Sequence, residues 1–455
     1  MSVALNQQIY ERLRSQMARG TLAAGQRVPS LRSLAAELGC ARGTVEAAYA
    51  RLIGEGWLVA RGPAGTFVAD DAQVGLRRTP PRPVAKAVAA PAPPQLLRLG
   101  LPALDAFPRK AWARLVARHA RAAGSLDRPD PAGHPVLRAA IATYLERSRG
   151  VACTPQQVFV VPAYTAALSL LADVLLRKGD SAWVESPGYP PTARVLRHAG
   201  ARVVPLSVDH GGLVVAEGLR RARRARLAVV TPSHQSPMGV AMALNRRMAL
   251  LAWSQEADAY VIEDDYDGEY RYGGHPLPAL QSLDARGRVI YLGTFSKVLF
   301  PGLRLNYAVV PPALVPAVSA ACEHAPHGGC PELYQRAVAD FMAQGHFSRH
   351  VRKMRALYAQ RRGFLARALG RLAADGLVVE PGQAGMHIVI RSTRTEPDRE
   401  LARRAQDGGF AIQALSDWTL GGKGPQGLLA GFTNVASAPE ATRLVDALRT
   451  AMLSP

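Results

Sequence analysis

Lys297 closes the run Gly293-Thr294-Phe295-Ser296-Lys297, and Arg304 follows seven residues later, just beyond Pro301. These residue types describe a carbonyl trap beside an anion clamp. A lysine amine condenses with an aldehyde. The hydroxyls of Thr294 and Ser296 and the forked guanidinium of Arg304 suit a phosphate dianion. An aldehyde that also carries a phosphate describes pyridoxal phosphate. Upstream, Asp264 follows a short apolar run. An aspartate there holds a pyridine nitrogen protonated, so that the ring withdraws electrons. Tyr266, two residues on in an extended segment, faces the same way and reaches the ring's phenolic oxygen. Tyr189, in Glu185-Ser186-Pro187-Gly188-Tyr189-Pro190, is a candidate to stack on the ring.

Positioning these groups takes strands. Arg288 to Leu292 reads as a buried strand, as do Tyr260 to Glu263 and Ser181 to Val184. Each chemical group then falls just past a strand's C-terminal end, where open α/β sheets bind ligands. Leu227 to Val230, the helical periodicity of Leu244 to Ala257, and Tyr260 to Glu263 form one strand-helix-strand unit. The alternation predicts a mostly parallel sheet with helices on both faces, an α/β fold.

The 455 residues leave room for two or three domains, and 48% hydrophobic with 20% charged residues fits a globular protein. No apolar run approaches the length of a membrane span. Met1 to Met17 has no signal-peptide core, and the four cysteines include no C-x-x-C pair, so a reduced cytoplasmic setting is expected. Cys322, His324, His327 and Cys330 are too cramped for a tetrahedral zinc site, and no metal is expected. The formal net charge of +21 favours polyanionic partners. It is spread through the chain, with arginine clusters at Arg220 to Arg226 and Arg349 to Arg362. Such a basic skin strengthens non-specific attraction to DNA.

Three zones follow. Residues 1–69 form a helical unit ending in a hairpin. Residues 70–97 turn to Pro, Ala and Arg, a tether that cannot bury a core. Residues 98–455 carry the alternating strands and helices, with a large domain at about 130–315 and a small domain in the remainder. In the first zone Ile9, Leu13 and Met17 mark one helix face. Ser30 caps a second helix, Leu31 to Leu38, and after Gly39 a third runs from Ala41 to about Ile53. This is a helix-turn-helix, and Gly56 to Val68 reads as its β-hairpin wing. Arg42, Gly43 and Thr44 open the recognition helix, where side chains reach base edges and phosphates. Arg32 and the wing from Arg61 to Gly65 face the DNA backbone.

The segments Pro29-Ser30-Leu31-Arg32-Ser33-Leu34-Ala35 and Arg42-Gly43-Thr44-Val45 are accompanied by four others: Asp130-Pro131-Ala132-Gly133-His134-Pro135, Thr231-Pro232-Ser233-His234-Gln235, Glu263-Asp264-Asp265-Tyr266, and Gly293 to Arg304. Together they resemble the MocR (GabR-like) subfamily of the GntR regulators, over almost everything except the tether. The resemblance implies a winged helix-turn-helix joined to a fold-type-I aminotransferase-like domain. It implies that Lys297 forms the internal aldimine of pyridoxal phosphate, that Asp264 pairs with the pyridine nitrogen, Tyr266 with the phenolic oxygen and Arg304 with the phosphate. It further implies a head-to-tail homodimer on a double-stranded DNA operator, with a small-molecule effector.

The chain departs from the subfamily at several points. Where relatives read close to Ser-Gly-Ala-Gln-Gln at the phosphate cup, it has Pro162-Ala163-Tyr164-Thr165-Ala166. The backbone amides at Ala163 and Tyr164 still suit phosphate, although bulky Tyr164 intrudes. Arg128-Pro129, Ser236-Pro237-Met238-Gly239, Ala41 and Gly43 are also atypical. In relatives that sense amino acids, an arginine from the C-terminal portion grips the carboxylate. Here Ala405 to Thr442 has none, and Lys423 alone is basic. Gln413, Ser416 and Trp418 remain as weaker groups, and Arg194 or Arg391 are the arginines that could substitute. The expectation is a regulator without net turnover that senses a small amine or the cofactor itself, in vitamin B6 or amino-compound metabolism. The alternative is a working aminotransferase with an appended DNA-binding unit.

Overall fold

A computed structural model describes residues 5–70, 95–122, 127–273, 277–325, 328–380, 382, 384–421 and 424–453. The chain divides into two units, Met1–Ala92 and Pro93–Pro455. Of the expected tether, 71–94 lie outside the described residues, as do His327 and Lys423. No helix among the described residues is long and apolar enough to cross a membrane.

In the first unit α1 (Leu5–Ala18), α2 (Leu31–Glu37) and α3 (Arg42–Gly54) are followed by β1 (Leu58–Ala60) and β2 (Thr66–Val68). The expected face of α1, joined by Tyr10, is buried against Val45, Ala48, Tyr49 and Leu52 of α3. Ser30 caps α2, its hydroxyl accepting from the Ser33 amide at 3.1 Å. Gly39, with φ of 59°, makes the left-handed turn between α2 and α3 that a side chain would resist. The wing has a third member that the sequence reading lacks. Val28 N–H donates to the Thr66 carbonyl at 3.0 Å, and Val68 N–H to that of Gln26 at 2.9 Å.

The second unit holds an eight-stranded sheet of β3 (Val158–Val161), β4 (Ser181–Ser186), β5 (Arg202–Asp209), β6 (Gly212–Leu213), β7 (Leu227–Val230), β8 (Tyr260–Asp265), β9 (Val289–Thr294) and β10 (Asn306–Val309), in the order β3-β10-β9-β8-β7-β4-β5-β6. Strands β4, β5, β7, β8 and β9 are parallel, while β10 runs antiparallel to both β3 and β9. Val158 and Val160 of β3 face Leu137, Ile141 and Leu145 of the helix Pro135–Arg149. Phe159 and Val161 face Ala167, Leu168 and Leu171 of the helix Tyr164–Leu175. Strand alternation thus buries both faces of the sheet.

Register fixes the functional edge. Asn306 stands opposite both Val161 and Thr294, and Asp264 lies opposite Leu292. The ends of β3, β8 and β9 and the start of β10 therefore meet along one rim, with the cofactor-site segments just beyond. A second, antiparallel sheet joins β11 (Leu377–Val379), β12 (His387–Ser392), β13 (Gln413–Ala414) and β14 (Gly427–Gly431) in the order β11-β12-β14-β13. Its apolar side packs on the helices His346–Leu369 and Ala438–Leu453.

Candidate cofactor site and DNA-recognition surface

The rim opens onto a cavity of about 490 Å³. All nine residues that the sequence offers for the cofactor line it: Ala163, Tyr164, Tyr189, Asp264, Tyr266, Thr294, Ser296, Lys297 and Arg304. Lys297 donates from Nζ to the Gly100 carbonyl at 3.1 Å. Burial pulls its ammonium below the ordinary lysine range, against Asp267 and Asp264, which pull the other way. A lysine held there reaches its neutral, nucleophilic form more readily. Gly100 is a site residue that sequence reasoning missed. Its φ is +61°, and a Cβ on it would stand 2.3 Å from Lys297 Nζ.

The Asp264 carboxylate has no hydrogen-bond partner among the described residues. Burial, followed by the carboxylates of Asp265, Asp267 and Glu185, pushes its pKa well above the usual range. A protonated ring nitrogen would supply the missing partner and the opposite charge, so this carboxylate fits pyridoxal phosphate. Adjacent Asp265 does other work. It is buried on Arg149, at 2.6 Å, and accepts from the Tyr291 hydroxyl at 2.5 Å. Tyr266 reaches the cavity, but its hydroxyl also lies 3.0 Å from His234 Nδ1, which is in turn 3.1 Å from Asp267. His234 belongs to the Thr231–Gln235 motif. The rest of that motif ties strand ends together, since Glu185 accepts from Thr231 Oγ1 at 2.6 Å and from Gln235 Nε2 at 3.1 Å.

At the phosphate end the first amides of the helix Tyr164–Leu175 lack intrahelical partners, as at any helix start. Tyr164 does not plug this end by its hydroxyl, which is 2.7 Å from Thr192 Oγ1. Its ring instead meets Tyr189 edge-on, with centroids 5.6 Å apart. Tyr189 is 40% exposed, lines the cavity and stands between Tyr164 and Trp418. Thr294 Oγ1 accepts from the Ser296 amide at 3.0 Å. Arg304 makes no ion pair among the described residues and adopts φ 54°, ψ 45°. That left-handed conformation costs a non-glycine residue about 1–2 kcal/mol. Strain of this kind persists where function needs the side chain aimed.

Other sequence candidates lie elsewhere. Gln413 and Trp418 line the cavity, but Ser416 does not, because its amide and hydroxyl are both bound to Asp398. Arg391 is held by Glu380 at 2.8 Å and Arg194 is exposed on the helix Pro190–His198; neither lines the cavity. Arg98 does, and so does Leu429 of β14. The Asp130–Pro135 motif is architectural. Gly133, with φ of +102°, lets the chain pass Val160, which a Cβ would meet at 2.5 Å. Cys322 and Cys330 pack in two separate apolar clusters.

On the first unit, Arg32 and Arg42 are exposed and make no ion pair among the described residues. Thr44 is half-buried in the first turn of α3. Arg61 is less free than expected, since its guanidinium lies 5.0 Å over the Phe67 ring and 3.4 Å from Asp70. Gly65 is explained by packing: with φ of +105°, a Cβ there would stand 2.7 Å from Arg27 Nε. Arg27 was missed because its place in the wing depends on a pairing with Phe67 across forty residues. Gly43 is different, for a Cβ on it meets nothing within 4 Å. Gly43→Ala should therefore leave the unit folded and raise helix stability by up to about 1 kcal/mol. If DNA packs against that backbone, operator affinity falls while the melting temperature does not. Unchanged affinity removes Gly43 from the interface.

Comparison with known proteins joins the two units. The description "Bacterial regulatory proteins, gntR family" matches residues 5–68, and "Aminotransferase class I and II" matches residues 96–423. The probable rhizopine catabolism regulatory protein MocR of Rhizobium meliloti is 40% identical, covering 99% of this chain and 94% of its own. The chain belongs to the MocR-type GntR regulators. Another regulator of this type, the pyridoxine biosynthesis regulator PdxR of Corynebacterium glutamicum, is 35% identical over 93% of the chain and 91% of its own length. Among solved structures, Pyrococcus horikoshii kynurenine aminotransferase in complex with PMP has a TM-score of 0.71 at 25% identity, covering 80% of this chain and 91% of its own. Thermus thermophilus LysN, complexed with N-(5'-phosphopyridoxyl)-L-leucine, also gives 0.71, at 28% identity, over 79% and 92%. This MocR-type protein is a DNA-binding transcription regulator with a fold-type-I aminotransferase unit, and its cofactor is pyridoxal phosphate.

Proposed function

We propose that this regulator reads a small amine through the Lys297 cavity and converts that reading into operator affinity at the helix-turn-helix. The unpartnered carboxylate of Asp264, facing an amine of lowered basicity in one cavity, carries this reading. Bound there, pyridoxal phosphate supplies an electron-withdrawing ring and a carbonyl carbon. Lys297 would hold it covalently, Asp264 would keep its ring nitrogen protonated, and Tyr266 with His234 behind it would orient the phenolic oxygen. Arg304, Ser296, Thr294 and the amides at Ala163 and Tyr164 would receive the phosphate, and Tyr189 would pack on the ring. The protein acts as a homodimer, in the head-to-tail arrangement of its subfamily, and in the cytoplasm. Sensing needs only a ligand that favours one conformation over another, so net turnover is not required.

The test is operator binding by the cofactor-loaded protein, with and without added amines, beside cofactor-stripped protein. A several-fold change in affinity on cofactor removal or amine addition supports the reading. Identical operator affinity in all states overturns it. Arg42→Ala should cost about 1–3 kcal/mol on the operator and much less on random DNA, if Arg42 reads a base edge. An equal loss on every sequence would make Arg42 a phosphate contact.

A further inference from the structure

Asp264 lines two cavities. One is the large cavity of Lys297, and the other is a small one of about 20 Å³ whose walls include Tyr164, Glu185, Thr192 and Thr231. A space of that size takes one water molecule, provided that polar partners line it. Glu185 and Thr231 are already spent on each other and on their neighbours. Glu185 accepts from the Thr231 amide at 3.2 Å, from Thr231 Oγ1 at 2.6 Å and from Gln235 Nε2 at 3.1 Å. Thr231 Oγ1 accepts in turn from the Ser236 amide at 3.0 Å. Tyr164 and Thr192 are different. Their hydroxyls lie 2.7 Å apart and make no other hydrogen bond among the described residues. Each brings a proton, and the bond between them uses one. One O–H is left over, on the wall of a cavity that Asp264 also lines.

Two helix starts deliver these hydroxyls. Tyr164 opens the helix Tyr164–Leu175, and Thr192 stands in the first turn of the helix Pro190–His198. Burial, and after it the charge of Asp264, push the Tyr164 phenol upward, so the carboxylate is within electrostatic reach of that hydroxyl. Asp264 itself faces an unfavourable company. Asp265 and Asp267 flank it on its own segment and Glu185 faces it from β4, with the amine of Lys297 as the opposing charge. The phenols of Tyr189 and Tyr266 are the other titratable groups that feel it. Among so many anions, every hydrogen bond donated to the ionised carboxylate helps to keep it ionised.

We propose that the hydroxyl pair of Tyr164 and Thr192, acting through one water molecule seated in the small cavity, supports the Asp264 carboxylate while the cofactor ring meets it from the large cavity. The leftover O–H donates to the water, and the water donates to Asp264. A carboxylate has room for both partners, since its two oxygens accept about four hydrogen bonds. A bridging water transmits such a contact nearly as well as a direct bond. Tyr164 and Thr192 are thus positioning residues that act through Asp264. The proposal rests on Asp264 serving the ring nitrogen, and it gives the bulky phenol at the phosphate end a task.

The test is the pH profile of cofactor affinity, read by visible absorption as stripped protein is titrated with pyridoxal phosphate. Taking a donor from the ionised carboxylate raises its pKa, so the acid limit of cofactor binding should move to higher pH. Tyr164→Phe keeps the ring beside Tyr189 and removes the hydroxyl. Near neutral pH it should bind the cofactor about 10-fold more weakly, with the deficit shrinking as pH rises. Thr192→Val should do the same without touching the ring, and Thr192→Ser should restore the unaltered profile. Tyr164→Phe combined with Thr192→Val should lose no more than either alone, because the pair acts as one unit. A crystal structure of the cofactor-loaded protein should show a water bonded to Asp264 and to one of the two hydroxyls. A loss that is uniform across pH, a Thr192→Ser profile like that of Thr192→Val, or no water at that position overturns the proposal. Asp264→Asn separates it from the reading beneath it. If Asp264→Asn weakens cofactor binding while Tyr164→Phe does not, only the hydroxyl pair loses its role. If Asp264→Asn changes nothing at any pH, the pairing of Asp264 with the ring nitrogen fails and the proposal falls with it.

Discussion

Arg149→Ala should destabilise the aminotransferase-like unit by about 3–5 kcal/mol, the cost of stranding one partner of a buried ion pair. Arg149 is 4% exposed and Asp265 is 5% exposed. Besides Asp265, the guanidinium donates to Ser233 Oγ at 2.8 Å and to the Leu277 carbonyl at 3.2 Å. Without it, the Asp265 carboxylate is left beside Asp264, Glu263 and Glu269 with the Tyr291 hydroxyl as its principal support. The cation that faces this cluster of carboxylates would be gone, which disfavours the ionised Asp264 that pairs with a ring N–H. Cofactor affinity should therefore fall together with the urea midpoint. Adding Asp265→Asn to Arg149→Ala removes the stranded charge and should recover part of the loss. An unchanged urea midpoint in the single variant would show that this pair contributes nothing net to the fold.

Lys297→Ala should abolish covalent attachment of the cofactor outright. Borohydride reduction followed by peptide mass analysis should place a phosphopyridoxyl group on the Lys297 peptide of the unaltered protein and on no peptide of the variant. The fold should survive, because among the described residues Nζ makes one hydrogen bond, to Gly100. Burial lowers the basicity of Lys297, so its neutral form appears at lower pH than for an ordinary lysine. The rate of cofactor uptake by stripped protein should then rise with pH through an inflection below the usual lysine value of about 10.4. An inflection at or above that value contradicts the buried, activated amine. Label on another lysine displaces Lys297 from its role.

Local sequence carried much of this site, because several of its chemical groups sit directly behind a buried strand. Asp264, Thr294 and Lys297 could be placed from an apolar run and a short count. Strand β10 could not be placed that way. Its antiparallel insertion between β3 and β9 is a long-range pairing, and it brings Asn306 and Tyr307 into the cavity wall. Gly100 and Arg98 follow a Pro- and Ala-rich stretch that dims any periodicity, and their importance shows only once Lys297 is seen to touch Gly100. Partners separate Asp264 from Asp265 in the structure, since the first lines the cavity and the second is bound to Arg149 and Tyr291. Gly65 and Ser416 each have the right type for a ligand contact, and the structure gives each a packing or hydrogen-bond role that sequence did not show, against Arg27 for one and Asp398 for the other.

The segment from Leu96 to Leu101 is gripped from two directions. Leu96 bridges to Phe410, the Leu97 carbonyl accepts from Gly431, and the Leu101 carbonyl accepts from Asn434 Nδ2 at 3.2 Å. Gly100, between them, is held by Lys297. Gln95 lies five residues before Gly100, the partner of the reactive amine. Five residues span at most about 18 Å. A ligand that takes Lys297 Nζ away from Gly100 removes one of the contacts that hold this strap, so occupancy of the amine and the grip on the strap are coupled through a single peptide carbonyl.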